Sequence, residues 1–82
     1  MKMTVYTTNT CGYCHMLKSW LDEFKVPYTE YKVDENPIAA DNMIRLSGQR
    51  GVPFTVVEKN DGSEEHILGF DRNRFQSLLW GI

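Results

Sequence analysis

The order of apolar and polar positions along the chain predicts short strands separated by helices. Residues 3–7 alternate and are rich in β-branched and aromatic types, which predicts a first strand. Residues 28–33 alternate in the same way, and the apolar run at 54–58 predicts a third strand. The sequence Asn60-Asp61-Gly62 is typical of a tight hairpin turn, so residues 66–68 are expected to pair back as a fourth strand.

A first helix is expected to begin near Cys11. Asn9 or Thr10 would be its N-cap, which would place Cys11 in the first turn, and Pro27 would end it. Apolar residues recur on one face of this helix, and we expect the last three of them to be core residues: Met16, Leu17, Trp20, Leu21 and Phe24.

Two further helices have clear boundary signals. Asn36 is placed to cap the second, with Pro37 in its first position and Gly48 at its end. Asp71 can cap the last helix. The apolar faces are formed by Ile38, Met43, Ile44 and Leu46 in one helix, and by Phe75, Leu78, Leu79 and Ile82 in the other. The order β-α-β-α-β-β-α predicts a fold of the α/β class.

Composition and charge narrow the classes of protein that are possible. The 82 residues fit one domain, 1–82, and 41% hydrophobic and 24% charged residues are typical of a globular chain. The net charge is −2 and the basic residues are scattered, so no nucleic-acid partner is expected. No apolar run approaches the ~18 residues of a membrane span and no signal-peptide core is recognisable, so we expect a cytoplasmic protein without membrane contact.

The sequence Cys11-Gly12-Tyr13-Cys14 has the strongest chemical signal in the chain. The first turn of a helix offers unpaired N–H groups and the positive end of the dipole, which stabilise a thiolate, so Cys11 is the candidate nucleophile. Cys14 lies one turn deeper and can attack a mixed disulfide on Cys11, which makes it the candidate resolving thiol. Gly12 allows close backbone approach of a substrate, and Tyr13 adds an exposed aromatic contact.

Three other uses of these cysteines are alternatives to redox catalysis. Cys11 to His15 spells Cys-x-x-Cys-His, the attachment motif of c-type haem, with Met43 as the only later methionine for the far axial position. A zinc site would need four ligands, and His15 and His66 do not give the spacing of a zinc finger. An iron–sulfur cluster bridged between two chains is a third alternative. No metal ligand is assigned.

Lys18 has two possible roles in the sequence. It lies on the same helical flank as the cysteines, where its charge would add positive potential, and it could equally form an exposed pair with Asp22 at i+4. His15 is expected to lie on the surface of the helix.

Taken together, several segments resemble the glutaredoxin family of the thioredoxin superfamily. They are Thr4-Val5-Tyr6-Thr7-Thr8, Cys11-Gly12-Tyr13-Cys14, Gly51-Val52-Pro53 and Gly69-Phe70-Asp71. The resemblance implies a thioredoxin fold, with a four-stranded mixed sheet flanked by three helices. It also implies a dithiol-disulfide oxidoreductase that reduces protein disulfides or glutathione mixed disulfides.

The resemblance also implies roles for residues outside the cysteine motif. Pro53 corresponds to the family's cis-proline, and Val52 would offer its backbone to the substrate. Arg50 would meet a carboxylate of glutathione, and the segment Gly69, Phe70 and Asp71 would hold its glutamyl end. No tightly bound cofactor is expected, with glutathione or another thiol reductant as co-substrate, and the chain is expected to be a monomer.

Three positions differ from the glutathione-using members of the family. Thr8 stands where those proteins usually have Lys, Gly51 where they have Thr, and Arg72 where they have a second Asp. NrdH-type redoxins lack that pocket, are reduced by thioredoxin reductase and supply ribonucleotide reductase, but they usually have Arg where this chain has Asp71. The alternative function is therefore that of an NrdH-type redoxin.

Overall fold

A computed structural model describes residues 1–81, and it contains the predicted order of elements. The elements are β1 (Lys2–Thr7), α1 (Gly12–Glu23), β2 (Thr29–Lys32), α2 (Pro37–Ser47), β3 (Phe54–Glu58), β4 (Glu64–Leu68) and α3 (Arg72–Trp80). No helix within these residues combines the length and apolar character needed to cross a membrane.

The four strands form one mixed sheet in the order β2-β1-β3-β4. β1 pairs with β2 in parallel and with β3 antiparallel, and β3 pairs antiparallel with β4. The hairpin between β3 and β4 is closed by the Lys59 N–H, which donates to the Ser63 carbonyl over 2.8 Å, and Gly62 adopts a φ of 89° within it. The predicted four-stranded mixed sheet with three helices, a thioredoxin fold, is confirmed.

The sheet separates two apolar cores. Successive side chains of a strand point to opposite faces, so Val5 and Val57 lie on one face while Tyr6 and Val56 lie on the other. The first face packs against α1 and α3 through Leu17, Trp20, Leu21 and Phe75. The second packs against α2 through Ala39 and Met43. Both faces are therefore covered by helices.

The first helix ends earlier than predicted. It stops at Glu23 with Phe24 as its C-cap, and Lys25 has a φ of 57°, which turns the chain before Pro27 is reached. Phe24 is 49% exposed, so its assignment to the core was wrong. It lies beyond the last helical turn, where its ring packs edge-on against Trp80 and Trp20.

Both boundaries of α2 and the start of α3 are as predicted, whereas α3 ends at Trp80 with Gly81 as its C-cap. Asn36 caps α2 by accepting hydrogen bonds from the backbone N–H groups of Ile38 and Ala39, and Gly48 ends it with a φ of 71°. Ile38 and Leu46 are exposed, however, and Ala39 takes the inward position beside Met43. In α3, Phe75 is fully buried, and Leu78 and Leu79 are partly buried against the core to which Phe75 belongs. Ile82 lies outside the described residues.

Candidate active site

Cys11 is the N-cap of α1, not a residue of its first turn. Its backbone is extended (φ −87°, ψ 112°), and its sulfur accepts a hydrogen bond from the Cys14 N–H at 3.1 Å. The expectation that Asn9 or Thr10 caps the helix was therefore wrong. Because a sulfur occupies the position where a cap oxygen usually lies, a free N–H at the positive end of the helix points directly at it.

A second contact joins Cys11 to the loop before β3. The Cys11 thiol lies 3.7 Å from the Val52 carbonyl oxygen, to which it can donate a hydrogen bond. The Val52-Pro53 peptide bond is cis, as the sequence resemblance implied. The Pro53 carbonyl in turn accepts from the Gly69 N–H at 2.8 Å, so the loop before β3 contacts both Cys11 and the segment that follows β4.

The two thiols have unequal environments. Cys11 is partly exposed, whereas Cys14 is 0% exposed, and neither is in a disulfide. Burial, followed by the hydrogen bond with Cys11, raises the pKa of the Cys14 thiol to about 12, although a backbone hydrogen bond with Thr8 and the charge of Lys18 lower it. Of the two sulfurs, Cys11 is the one that an external disulfide can approach.

An open apolar surface surrounds the start of α1. Tyr13 is 65% exposed and Met16 is 53% exposed, and with Gly12 they line a hollow of about 410 Å³. A second hollow of about 440 Å³ continues from Met16 along the helix toward Phe70 and Arg72. Exposed apolar side chains beside a reactive group are typical of a surface that binds another molecule.

Comparison with known proteins identifies the family. The glutaredoxin family model matches residues 3–61, which include both cysteines and the cis-proline loop. The chain belongs to the glutaredoxin family. It is a glutaredoxin-like thiol-disulfide oxidoreductase, a function that fits one accessible and one buried cysteine at a helix start.

Its relatives come from both of the subgroups that the sequence suggested. Over 59 residues, 72% of this chain and 78% of the relative, it is 37% identical to the glutaredoxin-like protein NrdH of Lactococcus lactis subsp. cremoris. Over 67 residues, 82% of this chain and 75% of the relative, it is 34% identical to glutaredoxin 3 of Escherichia coli. The solved NrdH-redoxin of Escherichia coli is 27% identical and superposes with a TM-score of 0.77, covering 95% of each chain.

The segment that in glutaredoxins is expected to hold glutathione is only partly assembled around the cysteines. Gly69 reaches the site through its bond to Pro53, and Phe70 lines the hollow on α1. Asp71 caps α3, where its carboxylate accepts from the Arg74 N–H at 3.2 Å. Arg50 is exposed two residues before Val52.

Thr8 stands where glutathione-using glutaredoxins usually have Lys, and its neighbour Asn9 is bound to two acidic residues. Next to Thr8, both the backbone N–H and the side-chain amide of Asn9 donate to Asp34 over 3.0 Å, and the amide also donates to Glu35. The backbone hydrogen bond from Asn9 holds the pKa of Asp34 below its usual value. His15 is on the surface, as expected, and its ring nitrogen lies 2.9 Å from the Asn9 carbonyl.

Gly51, the second departure from the glutaredoxin pattern, makes room for a neighbouring side chain. A Cβ on this residue would lie 2.6 Å from Oε1 of Gln49. The Gln49 side chain folds over the loop and donates to the Gly51 carbonyl at 3.2 Å and to the Ser47 hydroxyl at 3.1 Å. Sequence analysis missed Gln49, because nothing in its spacing distinguishes a loop-bracing amide from an exposed one.

Of the two roles expected for Lys18, the positive potential near a cysteine is found and the pair with Asp22 is not. Its ammonium lies 2.8 Å from Glu30 on β2, and Asp22 instead accepts from the Tyr28 hydroxyl at 3.1 Å. Its charge does act on Cys14, as noted above. The contact between Glu30 and Lys18 could not be predicted from the sequence, since it depends on how β2 lies against α1.

The two histidines considered as metal ligands do not form a metal site with the cysteines in the described part of the chain. Within residues 1–81, no three His, Cys, Asp or Glu side chains are grouped so that they could hold a metal ion. His66 lies on β4, where it contacts Glu64, and His15 faces the surface beside Asn9.

Proposed function

We propose that this protein reduces disulfide bonds of other proteins, with Cys11 as the nucleophile and Cys14 as the resolving thiol. The Cys11 thiolate attacks one sulfur of the substrate disulfide, and the other sulfur leaves as a thiolate that takes up a proton. Cys14 then attacks Cys11 and releases the remaining substrate sulfur. Two electrons pass to the substrate, and the protein is left with a Cys11–Cys14 disulfide.

The observation that carries this proposal is the inequality of the two sulfurs. Cys11 is accessible and its sulfur accepts the Cys14 N–H at 3.1 Å, whereas Cys14 is shielded completely. A substrate can therefore form its mixed disulfide only with Cys11. The resolving thiol then lies three residues away and attacks intramolecularly.

Substrate contacts are assigned to the groups that surround Cys11. The carbonyl of Val52, next to Pro53, lies where the backbone of an extended substrate segment could pair with it. Gly12 leaves open space beside the motif, and Tyr13 offers an exposed ring. The contact with the Val52 backbone does not depend on the substrate's side chains, which suits a reductant of several disulfides.

Glutathione is the first candidate for the electron donor. Arg50, Gly69, Phe70 and Asp71 are the residues proposed to bind it, supported by the family match and by the position of Gly69 beside Pro53. A dithiol reductant of this kind works in a reducing compartment, which favours the cytoplasm as its location. We propose that it has no tightly bound cofactor and works as a single chain.

An NrdH-type redoxin that takes electrons from thioredoxin reductase and supplies ribonucleotide reductase is the second candidate. Two observations favour it. The flank at Thr8 carries Asp34 and Glu35, which repel the carboxylates of glutathione, and the surface at Tyr13 and Met16 is apolar. The similar NrdH-redoxin of Escherichia coli is described as having a thioredoxin-like activity profile.

The two donors are distinguished by NADPH consumption in parallel assays with the oxidised protein. One assay contains glutathione and glutathione reductase, and the other contains thioredoxin reductase alone. Turnover in the first makes the protein a glutathione-dependent glutaredoxin, and turnover only in the second makes it an NrdH-type redoxin. Turnover in neither would contradict both donor assignments.

Cysteine variants test the roles of the two sulfurs in the same assays. Cys11→Ser is expected to abolish disulfide reduction, whereas Cys14→Ser should accumulate a mixed disulfide with the substrate that intact-mass spectrometry detects. Full reductase activity of Cys11→Ser would rule out the mechanism. Lys25→Met, at an exposed residue just beyond α1, serves as the control for substitution near the helix.

A further inference from the structure

A partly buried ion pair includes Lys18, whose charge acts on Cys14, and the reaction described above does not use it. The Lys18 ammonium is 2.8 Å from Oε2 of Glu30, and the same oxygen accepts from the Thr7 hydroxyl at 2.7 Å. The side chains of Lys18 and Glu30 are only 18% and 23% exposed, and Thr7 is fully buried. Such a pair is held in one place more firmly than a surface ion pair.

The position of this pair relative to Cys14 follows from the helix. Lys18 is four residues after Cys14, so the two side chains lie on the same face of α1, one turn apart. Cys14 is the buried thiol, and a charge near a buried group is poorly screened by water. Although burial raises the pKa of Cys14 most, the positive charge of Lys18 lowers it.

We propose that Lys18, held in place by Glu30 and Thr7, is a positioning residue that stabilises the thiolate of Cys14 during the resolving step. The inference rests on the proposed function, because it requires Cys14 to attack the mixed disulfide. In that step Cys14 gives up its proton to solvent and its electron pair forms the bond to the Cys11 sulfur. The substrate sulfur leaves with the electrons of the broken bond and takes up a proton.

The other charged and titratable groups near Cys14 do not provide this stabilisation. During the resolving step the Cys11 sulfur is bonded to the substrate and carries no charge, and the negative charge of the Glu30 carboxylate on β2 can only oppose a thiolate. Lys32, also on β2, acts on Glu30. His15, next to Cys14 on α1, turns outward to the Asn9 carbonyl. From the preceding loop, Thr8 brings no charge, but a backbone hydrogen bond with it lowers the pKa of the Cys14 thiol more than Lys18 does.

The direction of the effect of removing Lys18 is therefore fixed. Lys18→Met takes away the positive charge and leaves the Glu30 carboxylate unpaired. Both changes disfavour a Cys14 thiolate, while the Cys11 sulfur keeps its own hydrogen bond from the Cys14 N–H.

The test separates the two chemical steps with one reagent. The fully reduced protein is mixed with dithionitrobenzoate, an aromatic disulfide that releases a yellow thiolate. The first release reports attack by Cys11 and depends on reagent concentration, and the second reports attack by Cys14 and does not. Lys18→Met is expected to slow the second release about threefold to tenfold. The loss of a nearby positive charge should raise the pKa of the Cys14 thiol by about one unit, which lowers the fraction present as thiolate. A thiolate with a higher pKa is more nucleophilic, and this offsets part of the loss.

Two controls show whether the charge is responsible. Lys18→Arg keeps the positive charge and should restore the second release to within about twofold of the native rate. Lys25→Met removes an exposed lysine just beyond α1 and should change neither release. If methionine at position 18 prevents folding, Lys18→Gln removes the same charge with a polar side chain.

The outcomes distinguish failure of this inference from failure of the proposed function. A second release that is equally fast in the native protein and in Lys18→Met overturns the role of Lys18. So does a second release that Lys18→Arg slows as much as Lys18→Met. If the native protein gives no second release, or if Cys14→Ser gives it at the native rate, Cys14 is not the resolving thiol and the proposed function itself fails.

Discussion

The backbone N–H of Cys14 donates a hydrogen bond of 3.1 Å to the sulfur of Cys11. One contact thus has two effects: it satisfies a free N–H at the start of α1, and it places a donor on the sulfur where negative charge develops. The stability of the helix start and the reactivity of the thiol are coupled through this bond. A substitution at Cys11 is therefore expected to affect both.

The unequal burial of the two cysteines predicts unequal alkylation. Because burial raises the pKa of Cys14 to about 12 and shields its sulfur, iodoacetamide should add a single group to the native reduced protein, on Cys11. The denatured protein should take up two groups. Intact-mass spectrometry at mildly alkaline pH measures both, and two rapid additions to the native protein would contradict the described burial.

Asp71 is expected to contribute to stability as a helix cap, apart from any contact with a ligand. Its carboxylate accepts from the Arg74 N–H, so Asp71→Ala should lower the free energy of unfolding by about 1 kcal/mol. Asp71→Ser keeps a side-chain acceptor, so its free energy of unfolding should differ from the native value by only a few tenths of a kcal/mol. Urea unfolding measures the difference, and equal losses in the two variants would show that capping is not the cause.

Phe75 and Phe24 form a matched pair for testing the core. Phe75 is fully buried between α3 and the sheet, so Phe75→Ala should cost about 3–5 kcal/mol of unfolding free energy. Phe24 is 49% exposed, and its replacement by Ala should cost well under half as much. Denaturant unfolding of both variants is the measurement. Similar losses would mean that Phe24 belongs to the core after all.

Glu30 makes part of the stability dependent on pH. Burial raises its pKa, but hydrogen bonds from Lys18 and Thr7 outweigh burial and hold the pKa below the ordinary value of 4.5. A carboxylate with a lowered pKa stabilises the fold above 4.5, and this contribution is lost as the pH falls through its folded-state pKa.

Replacing Glu30 with Gln should therefore flatten the loss of stability in acid. Urea unfolding of the native protein and of Glu30→Gln between about pH 3 and 6 gives the two profiles. The variant still loses stability in acid, because Asp34 and Glu65 also have lowered pKa values. Parallel profiles would show that Glu30 does not contribute.

Most of the fold could be predicted because its signals are local. Alternating residues mark the strands, and Asn36, Pro37 and Gly48 mark the ends of α2, where each acts through its own backbone or side chain. The Asn60-Asp61-Gly62 turn fixes the hairpin in the same way. Such signals need no knowledge of the tertiary structure.

The errors concern residues whose partners are distant in the sequence. Asn9 does not cap α1 because its side chain is bound to Asp34, twenty-five positions along the chain. Lys18 pairs with Glu30 rather than with its helical neighbour Asp22, since β2 comes to lie beside α1. Helical periodicity likewise placed Phe24 in the core, because it does not reveal where a helix ends.

Two kinds of argument predicted different parts of the candidate site. The roles of Cys11 and Cys14 followed from the chemistry of thiols at a helix start, whereas the cis bond before Pro53 came only from family resemblance. Gln49 was missed by both, because its contacts depend on the path of a single loop.

The two outer strands of the sheet bear on how the protein behaves at high concentration. β2 and β4 each have one unpaired edge, along which another chain could extend the sheet. Both strands are short and carry charged residues, Glu30 and Lys32 on β2 and Glu64 and Glu65 on β4. Joining two β4 edges would bring their glutamates together, and pairing at either edge would remove charged side chains from water. The sequence of the edges thus opposes aggregation through added strands.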